Sequence, residues 1–243
     1  MVCLEAAPAL CAPDFRCEIL SLNGQATATD KDSAKRPLKE GDLLQAGEIV
    51  EVGEGGSLDL SYDRDWNNVV RFEAGSRGKV TLIAPGKIDL EQGSVFARLK
   101  KLPRDSTFEV STPNAIAAVR GSEYRVVLEA GRTEVFNFSE SSNVLIYDRN
   151  PDGSPDLLSQ VTLPASAITH LESSGGPPST PEGFLEEDAA RGSATDREID
   201  TNITEAIRHG RRGRIQSVTD IENYIKNQQK EEEKEMLLPL RRS

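Results

Sequence analysis

Ser111–Val126, STPNAIAAVRGSEYRV, decides how the rest of the chain is read. Just before it, Thr107–Val110 (TFEV) alternates polar and apolar residues, the period of a half-buried strand. Thr112-Pro113 closes that strand, because proline brings no N–H to a ladder and holds the residue before it extended. Ala115–Val119 is small and apolar, and Glu123–Leu128 alternates again with Tyr124, Val126 and Leu128 on one face. Between the two runs stands Arg120-Gly121. Glycine reaches positive φ without strain, and arginine carries five fixed donors, so the pair is expected at a strand break with Arg120 feeding backbone carbonyls.

Outward from this stretch the pattern stays β. Glu18–Leu22, Leu58–Tyr62, Val69–Phe72, Val95–Leu99, Thr133–Phe138 and Val144–Tyr147 are short strand-like runs, separated by glycines such as Gly24, Gly41, Gly75, Gly93 and Gly131. Turns every ~8–12 residues predict a sandwich, a barrel or a stacked solenoid. The character changes at residues 174–183, a Gly/Pro/Ser linker. Beyond it, Thr180-Pro181 reads as the start of a short helix over Pro181–Arg191. Ile199, Ile203 and Ile207 form a stripe in a second helix, Asp196–His209, closed by Gly210. Ser217 and Asp220 make a near capping box ahead of a third, with Val218, Ile221 and Tyr224 on one side. These helices are sparsely apolar, and isolated helices of such length are marginal in water, so a partly disordered tail is expected.

The central stretch resembles the FecR domain family, whose pattern reads roughly T-P-x-A-x-x-x-V-R-G-T-x-F. Thr112, Pro113, Ala115, Val119, Arg120 and Gly121 match it, with Ser122 in place of the threonine and Tyr124 in place of the phenylalanine. Upstream, Leu38–Asp42, Gly55–Tyr62 and Leu90–Phe96 resemble further family segments, and the resemblance runs over about residues 17–173. It implies a mainly β fold, a compact solenoid-like or sandwich stack of short strands, followed by a short α-helical C-terminal tail. The expected division is a leader or export-signal remnant at 1–16, a FecR-like β domain at 17–173, the linker at 174–183 and a helical, partly disordered tail at 184–243. The resemblance also implies a noncatalytic binding or scaffold module of the bacterial cell envelope, with envelope proteins as partners and a place in signalling. Thr112, Pro113, Val119, Arg120 and Gly121 are then structural motif residues.

Composition bounds the alternatives. The chain has 243 residues with a net charge of −11, which disfavours nucleic-acid and anionic-membrane binding. No apolar run approaches the ~18 residues of a membrane-spanning helix, so a free-standing FecR-domain protein is expected. Ala6–Ala12 (AAPALCA) resembles the end of a secretory signal but lacks a basic start, giving an incomplete export signal and a periplasmic or extracellular location. Cys3, Cys11 and Cys17 follow no zinc spacing and are expected to be free or lost on processing.

Three candidate sites remain. Asp148–Asp156 (DRNPDGSPD) places Asp148, Asn150, Asp152 and Asp156 at calcium-loop positions with Gly153 at the turn, though Ser159 stands where a bidentate glutamate belongs. A calcium ion there would support the alternative of an extracellular, calcium-stabilised adhesin-like or carbohydrate-binding module. Trp66, the only tryptophan, sits in the polar turn Asp63–Asn68 and is a candidate partner contact. Arg208–Arg214 is a basic cluster, expected to be a solvated loop between helices. His170 and His209 stand far apart in the chain and no nucleophile or phosphate-binding motif accompanies them, so no enzyme is expected.

Overall fold

The computed structural model describes residues 15–83, 86–140, 142–150 and 152–237. The expected leader, with Cys3 and Cys11, lies outside them apart from its last two residues, as does the end of the chain from 238. Seventeen strands are formed among the described residues. The first nine are β1 (Arg16–Asn23), β2 (Ala26–Thr29), β3 (Lys35–Pro37), β4 (Leu43–Gln45), β5 (Ile49–Val52), β6 (Ser57–Ser61), β7 (Asn68–Phe72), β8 (Arg77–Ile83) and β9 (Gly86–Leu99). Then come β10 (Phe108–Ser111), β11 (Ala115–Val119), β12 (Glu123–Glu129), β13 (Arg132–Asn137), β14 (Val144–Arg149), β15 (Pro155–Leu163), β16 (Ala167–Leu171) and β17 (Glu182–Gly183).

They pair as two open sheets that share β9. The front sheet runs β4–β1–β6–β7–β9–β12–β13–β16–β17, antiparallel throughout. The back sheet runs β3–β2–β5–β8–β9–β10–β11–β14–β15, antiparallel except where β9 meets β10. From β10 onward the chain makes one hairpin in the back sheet, one in the front and one in the back before returning to the front. This winding is solenoid-like and its product is a sandwich.

The strand alternation read from the sequence sets the core. Val110, Ala115, Ala117 and Val119 from the back sheet meet Tyr124, Val126 and Val135 from the front, all at 2 % exposure or less. Full burial of such side chains stabilises by roughly 1.5–3 kcal/mol each for the larger ones. Two of the crossings between sheets are made at glycines. Gly93, at φ +85, is where β9 leaves the back sheet for the front, and a Cβ there would stand 2.6 Å from the Ser76 backbone. Gly121, at φ +138, carries the chain from β11 to β12, in a conformation that side chains rarely adopt.

Two helices follow, α1 (Glu186–Arg208) and α2 (Val218–Leu237). The expected short helix at Pro181–Arg191 and its neighbour at Asp196–His209 are one continuous helix, and Thr180-Pro181 does not start it. Glu182-Gly183 instead pair with Ile168 and Ala167 at the front-sheet edge. Gly192 does not interrupt α1 because it serves a close approach: a Cβ there would lie 2.5 Å from the Phe138 ring. α1 lies on the outer face of the front sheet, with Ile199 and Ala206 in one apolar cluster with Leu20, Trp66, Val69 and Phe96. The capping box before α2 is formed: Ser217 Oγ accepts the Asp220 N–H at 3.2 Å and Asp220 Oδ2 accepts the Ser217 N–H at 2.7 Å. Phe15 meets Tyr224 of α2 edge-on at 4.9 Å.

The basic loop between the helices is not the solvated linker the sequence suggested. Arg211 donates to the carbonyls of Leu20 and Ile19 at 2.8 and 3.1 Å. The Arg214 N–H reaches buried Glu18 at 2.9 Å, its guanidinium meets the Gly41 carbonyl, and Gln216 exchanges hydrogen bonds with the Arg16 backbone. These contacts clasp the helical part to β1, and they use arginines because strand-end carbonyls need donors with reach.

Candidate functional site

The motif residues divide into a buried knot and an exposed cation. Thr112 is 1 % exposed, and its hydroxyl meets Thr133 Oγ1 at 2.8 Å and accepts the Ala115 N–H at 3.0 Å. Beside it the Asn114 amide donates to the carbonyls of Gly131, Leu171 and Glu172 at 3.0–3.2 Å, while Asn114 Oδ1 accepts the Thr133 hydroxyl at 2.6 Å. The knot ties the start of β11 to the Thr133–Leu171 end of the β13–β16 pairing. Asn137 repeats the device at the opposite end, donating to Ser142, Leu163 and Pro164 and accepting from Ser122. Pro113 is exposed at the turn, and Val119 is in the core.

Arg120 corrects an expectation. It feeds no carbonyl: it is exposed and, among the described residues, makes no hydrogen bond or ion pair. The role expected of it is divided between Asn114 and Arg149, whose guanidinium donates to the Thr112 carbonyl at 2.7 Å. β11 points Arg120 outward, following Ile116 and Ala118 at alternate positions.

There it borders a groove of about 890 Å³ on the outer face of the back sheet. Ile116, Ala118, Leu145, Tyr147 and Leu157 form its apolar floor and wall, across β11, β14 and β15. Leu145 is 38 %, Leu157 65 % and Leu158 97 % exposed, so this end of the sandwich keeps leucines in water. Lys87 and Glu109 also line the groove and are paired at 3.5 Å, which leaves Arg120 as its unbalanced charge. β15 is a nine-residue edge strand, whereas the three other sheet edges, β3, β4 and β17, have three, three and two residues. Long open edges are what soluble proteins usually shorten or cover.

The Asp148–Asp156 hairpin reaches the same groove through Gly153 and Pro155. Its oxygens do not converge. Asp148 accepts the N–H groups of Arg149 and Gly176, Asp152 those of the Ser154 backbone and hydroxyl, and Asp156 that of Leu158. The Arg149 side chain fills the inside of the turn, with Nε donating to the Gly153 carbonyl at 3.2 Å. Hydrogen bonds from Ser154 hold the Asp152 carboxyl below its ordinary range. Among the described residues no group of three or more His, Cys, Asp or Glu side chains is placed to hold a metal ion.

Trp66 lies in the other layer and is not a surface contact. It is 6 % exposed, at φ +56, and packs beneath α1. Its unusual backbone is held by buried Asp63, whose carboxylate accepts the N–H groups of Asp65, Asn67 and Asn68. The sequence put Trp66 in a polar turn as a candidate partner contact because the helix that covers it is more than a hundred residues away.

The front-sheet face around it holds three buried arginines that the motif search missed. Arg71 on β7, Arg98 on β9 and Arg125 on β12 are each 3 % exposed and point outward from adjacent strands. Arg71 forms a bidentate pair with Asp59 at 2.6 and 2.8 Å and reaches Glu198 of α1 at 2.7 Å. Arg98 lies 2.7 Å from Asp196 and also meets Asp200, both on α1. Arg125 pairs with Glu73 at 2.7 Å, donates to Thr195 of α1 at 3.1 Å and sits 5.7 and 5.8 Å from the centres of the Phe96 and Phe138 rings. Burial lowers the Arg125 pKa against the pull of Glu73. The available signal was an arginine at an outward position in each of NVVRF, VFARL and EYRVV.

A small cluster elsewhere brings Ser179 Oγ to 3.1 Å from His170 Nδ1, with Glu172 3.8 Å from the other ring nitrogen. The same hydroxyl accepts the His170 backbone N–H and meets the Thr169 hydroxyl, each at 3.1 Å. It clasps the 172–179 turn to β16.

Residues 48–139 match the family model described as FecR protein. The FecR-like span begins at β5 and ends just after β13, so it contains Thr112, Asn114 and Thr133 of the motif knot, Arg120 and all three buried arginines, and it excludes β14, β15 and the helices. Two crystal structures of a protein provisionally assigned as an anti-sigma factor from Parabacteroides distasonis, at 1.65 and 2.50 Å resolution, superpose with a TM-score of 0.43, at 16 % and 17 % identity. The superposition covers 56 % of this chain and 59 % of that one, so the FecR-like chain spans less than two thirds of its length. No curated protein matches the sequence. No helix among the described residues is long and apolar enough to cross a membrane.

Proposed function

We propose that this chain is a noncatalytic, FecR-like regulatory module of the bacterial envelope, and that it binds a protein partner on the open face of its back sheet. The observation that carries this is the contrast between the two faces. α1 covers the front sheet, while the back sheet keeps exposed leucines, a long free edge and the motif residue Arg120, unpaired among the described residues, around one groove. Apolar surface rimmed by polar groups marks protein interaction sites. On a chain of net charge −11, a lone cation at such a groove fits a partner segment that carries an acidic residue beside apolar ones. The FecR match supports a regulatory role, and the envelope location is proposed by analogy with that family.

A photo-crosslinking residue at Leu157, compared with one at exposed Lys31 on the far edge, tests the site in cells. The expected result is a discrete crosslinked envelope protein from position 157, absent from position 31 and lost when Arg120→Glu is added. Identical products from both positions, or none from 157, would contradict it.

A further inference from the structure

The front sheet carries a second interface, at present filled from within the chain. α1 is a poor candidate for a permanent layer. Its buried residues are only Gly192, Thr195, Ile199 and Ala206, and Ile207 of its apolar stripe is 60 % exposed. Its N-terminus has no side-chain cap. It is held chiefly by carboxylates on buried guanidinium groups, and the two outermost, Glu198 and Asp200, are each 55 % exposed and open to screening by salt. The fit is also incomplete. Arg98 Nη1 and Arg125 Nε are buried without a hydrogen-bond partner, and Arg98 Nε meets Asp196 Oδ1 at 2.7 Å as an ion pair only. Buried polar groups in a settled core are almost always satisfied.

The face beneath behaves differently. Arg71 keeps Asp59 and Arg125 keeps Glu73 whether or not a helix is present, since those partners are on or beside the sheet. Arg98 does not: both acids paired with it, Asp196 and Asp200, come from α1, and Glu123 is its neighbour on β12. The sheet therefore presents preorganised cations, with Phe96 and Phe138 between them, to whatever helix lies across it.

We propose that this arginine face is a receptor for acidic amphipathic helices, that α1 occupies it in cis, and that a partner's helix with acids spaced like Asp196 and Asp200 around a central isoleucine can take its place. The occupant is specified by charge complementarity and by the α1 template itself: two acids four residues apart reach Arg98, and a small residue one turn earlier clears Phe138. Trp66, the sole tryptophan, lies under α1 and reports its release.

The test adds a fluorescent peptide of residues 186–208 to the full chain, read by anisotropy while Trp66 emission is followed. Asp200→Ala in the chain loosens its own helix and should tighten peptide binding about tenfold at ~0.05 M salt, with binding lost near ~1 M. Arg98→Ala should abolish binding, and Arg98→Lys should restore part of it. A scrambled peptide of the same composition should not bind. Failure of the peptide to bind the Asp200→Ala chain while Trp66 emission shows α1 released would overturn the proposal, as would binding that Arg98→Ala leaves unchanged. A stable dimer that the peptide cannot dissociate would assign the face to a second copy and overturn a partner's helix as its occupant.

Discussion

Asn114 and Arg120 stand six residues apart in one motif and do opposite work. Asn114 supplies three carbonyls, one buried and two half-buried, so Asn114→Ala removes their side-chain donor and should cost about 1–3 kcal/mol in urea unfolding. Arg120 makes no hydrogen bond or ion pair among the described residues, and Arg120→Ala should change stability by less than about 0.5 kcal/mol. The sequence favoured Arg120 for the structural role because its donors are more numerous. The side a side chain faces depends on strand register, and alternation from Val119 sends Arg120 outward. Glu123 gives a pH test at the same scale. Burial, then the charge of Asp196, raises its carboxyl pKa above the ordinary value. The folded state then binds that proton first, so wild-type stability rises as pH falls through the raised value and the gain is complete below the unfolded value near 4.5. Glu123→Gln should therefore melt higher than wild type at neutral pH, with the two converging toward acid pH. A gap that widens on acidification would refute this cause.

At the scale of elements, strands were more legible than helices. Thr107–Val110 and Glu123–Leu128 alternate because one face meets the core, and their inward residues are those the alternation names. α1 was read as two pieces because its stripe of isoleucines is thin and Gly192 looks like a break. Its docking rests on arginines of distant strands, which no local window reveals. Gly192→Ala separates these influences. Alanine favours an isolated helix by roughly 1 kcal/mol, yet its Cβ would stand 2.5 Å from Phe138, whose ring is packed among Phe96, Phe136 and Phe184. Net destabilisation with a red shift of Trp66 emission is expected, and a more stable variant with unchanged emission would show that α1 does not rest on that ring. The Asp148–Asp156 hairpin matched calcium spacing, but spacing does not say where carboxylates point. Each carboxylate here has N–H or hydroxyl donors within its own fold and Arg149 fills the turn, so melting curves in excess calcium and in chelator should coincide. A rise of several degrees with calcium would place an ion in the hairpin.

For the whole molecule, the two faces of one sandwich have different fates. The front is covered by the chain's own helix over buried cations, and the back is left open at its β10–β15 end. The mainly β class followed from turn spacing and the FecR-like motif. Which face is closed did not, because it depends on contacts between β1 and the loop after α1, nearly two hundred residues apart. Partners are proposed to dock on the open back face. The most direct measurement is calorimetric affinity of the protein crosslinked from position 157 for wild type and for Leu157→Glu. About a tenfold or greater loss of affinity with an unchanged melting temperature is expected. Equal affinities for the two proteins would contradict it.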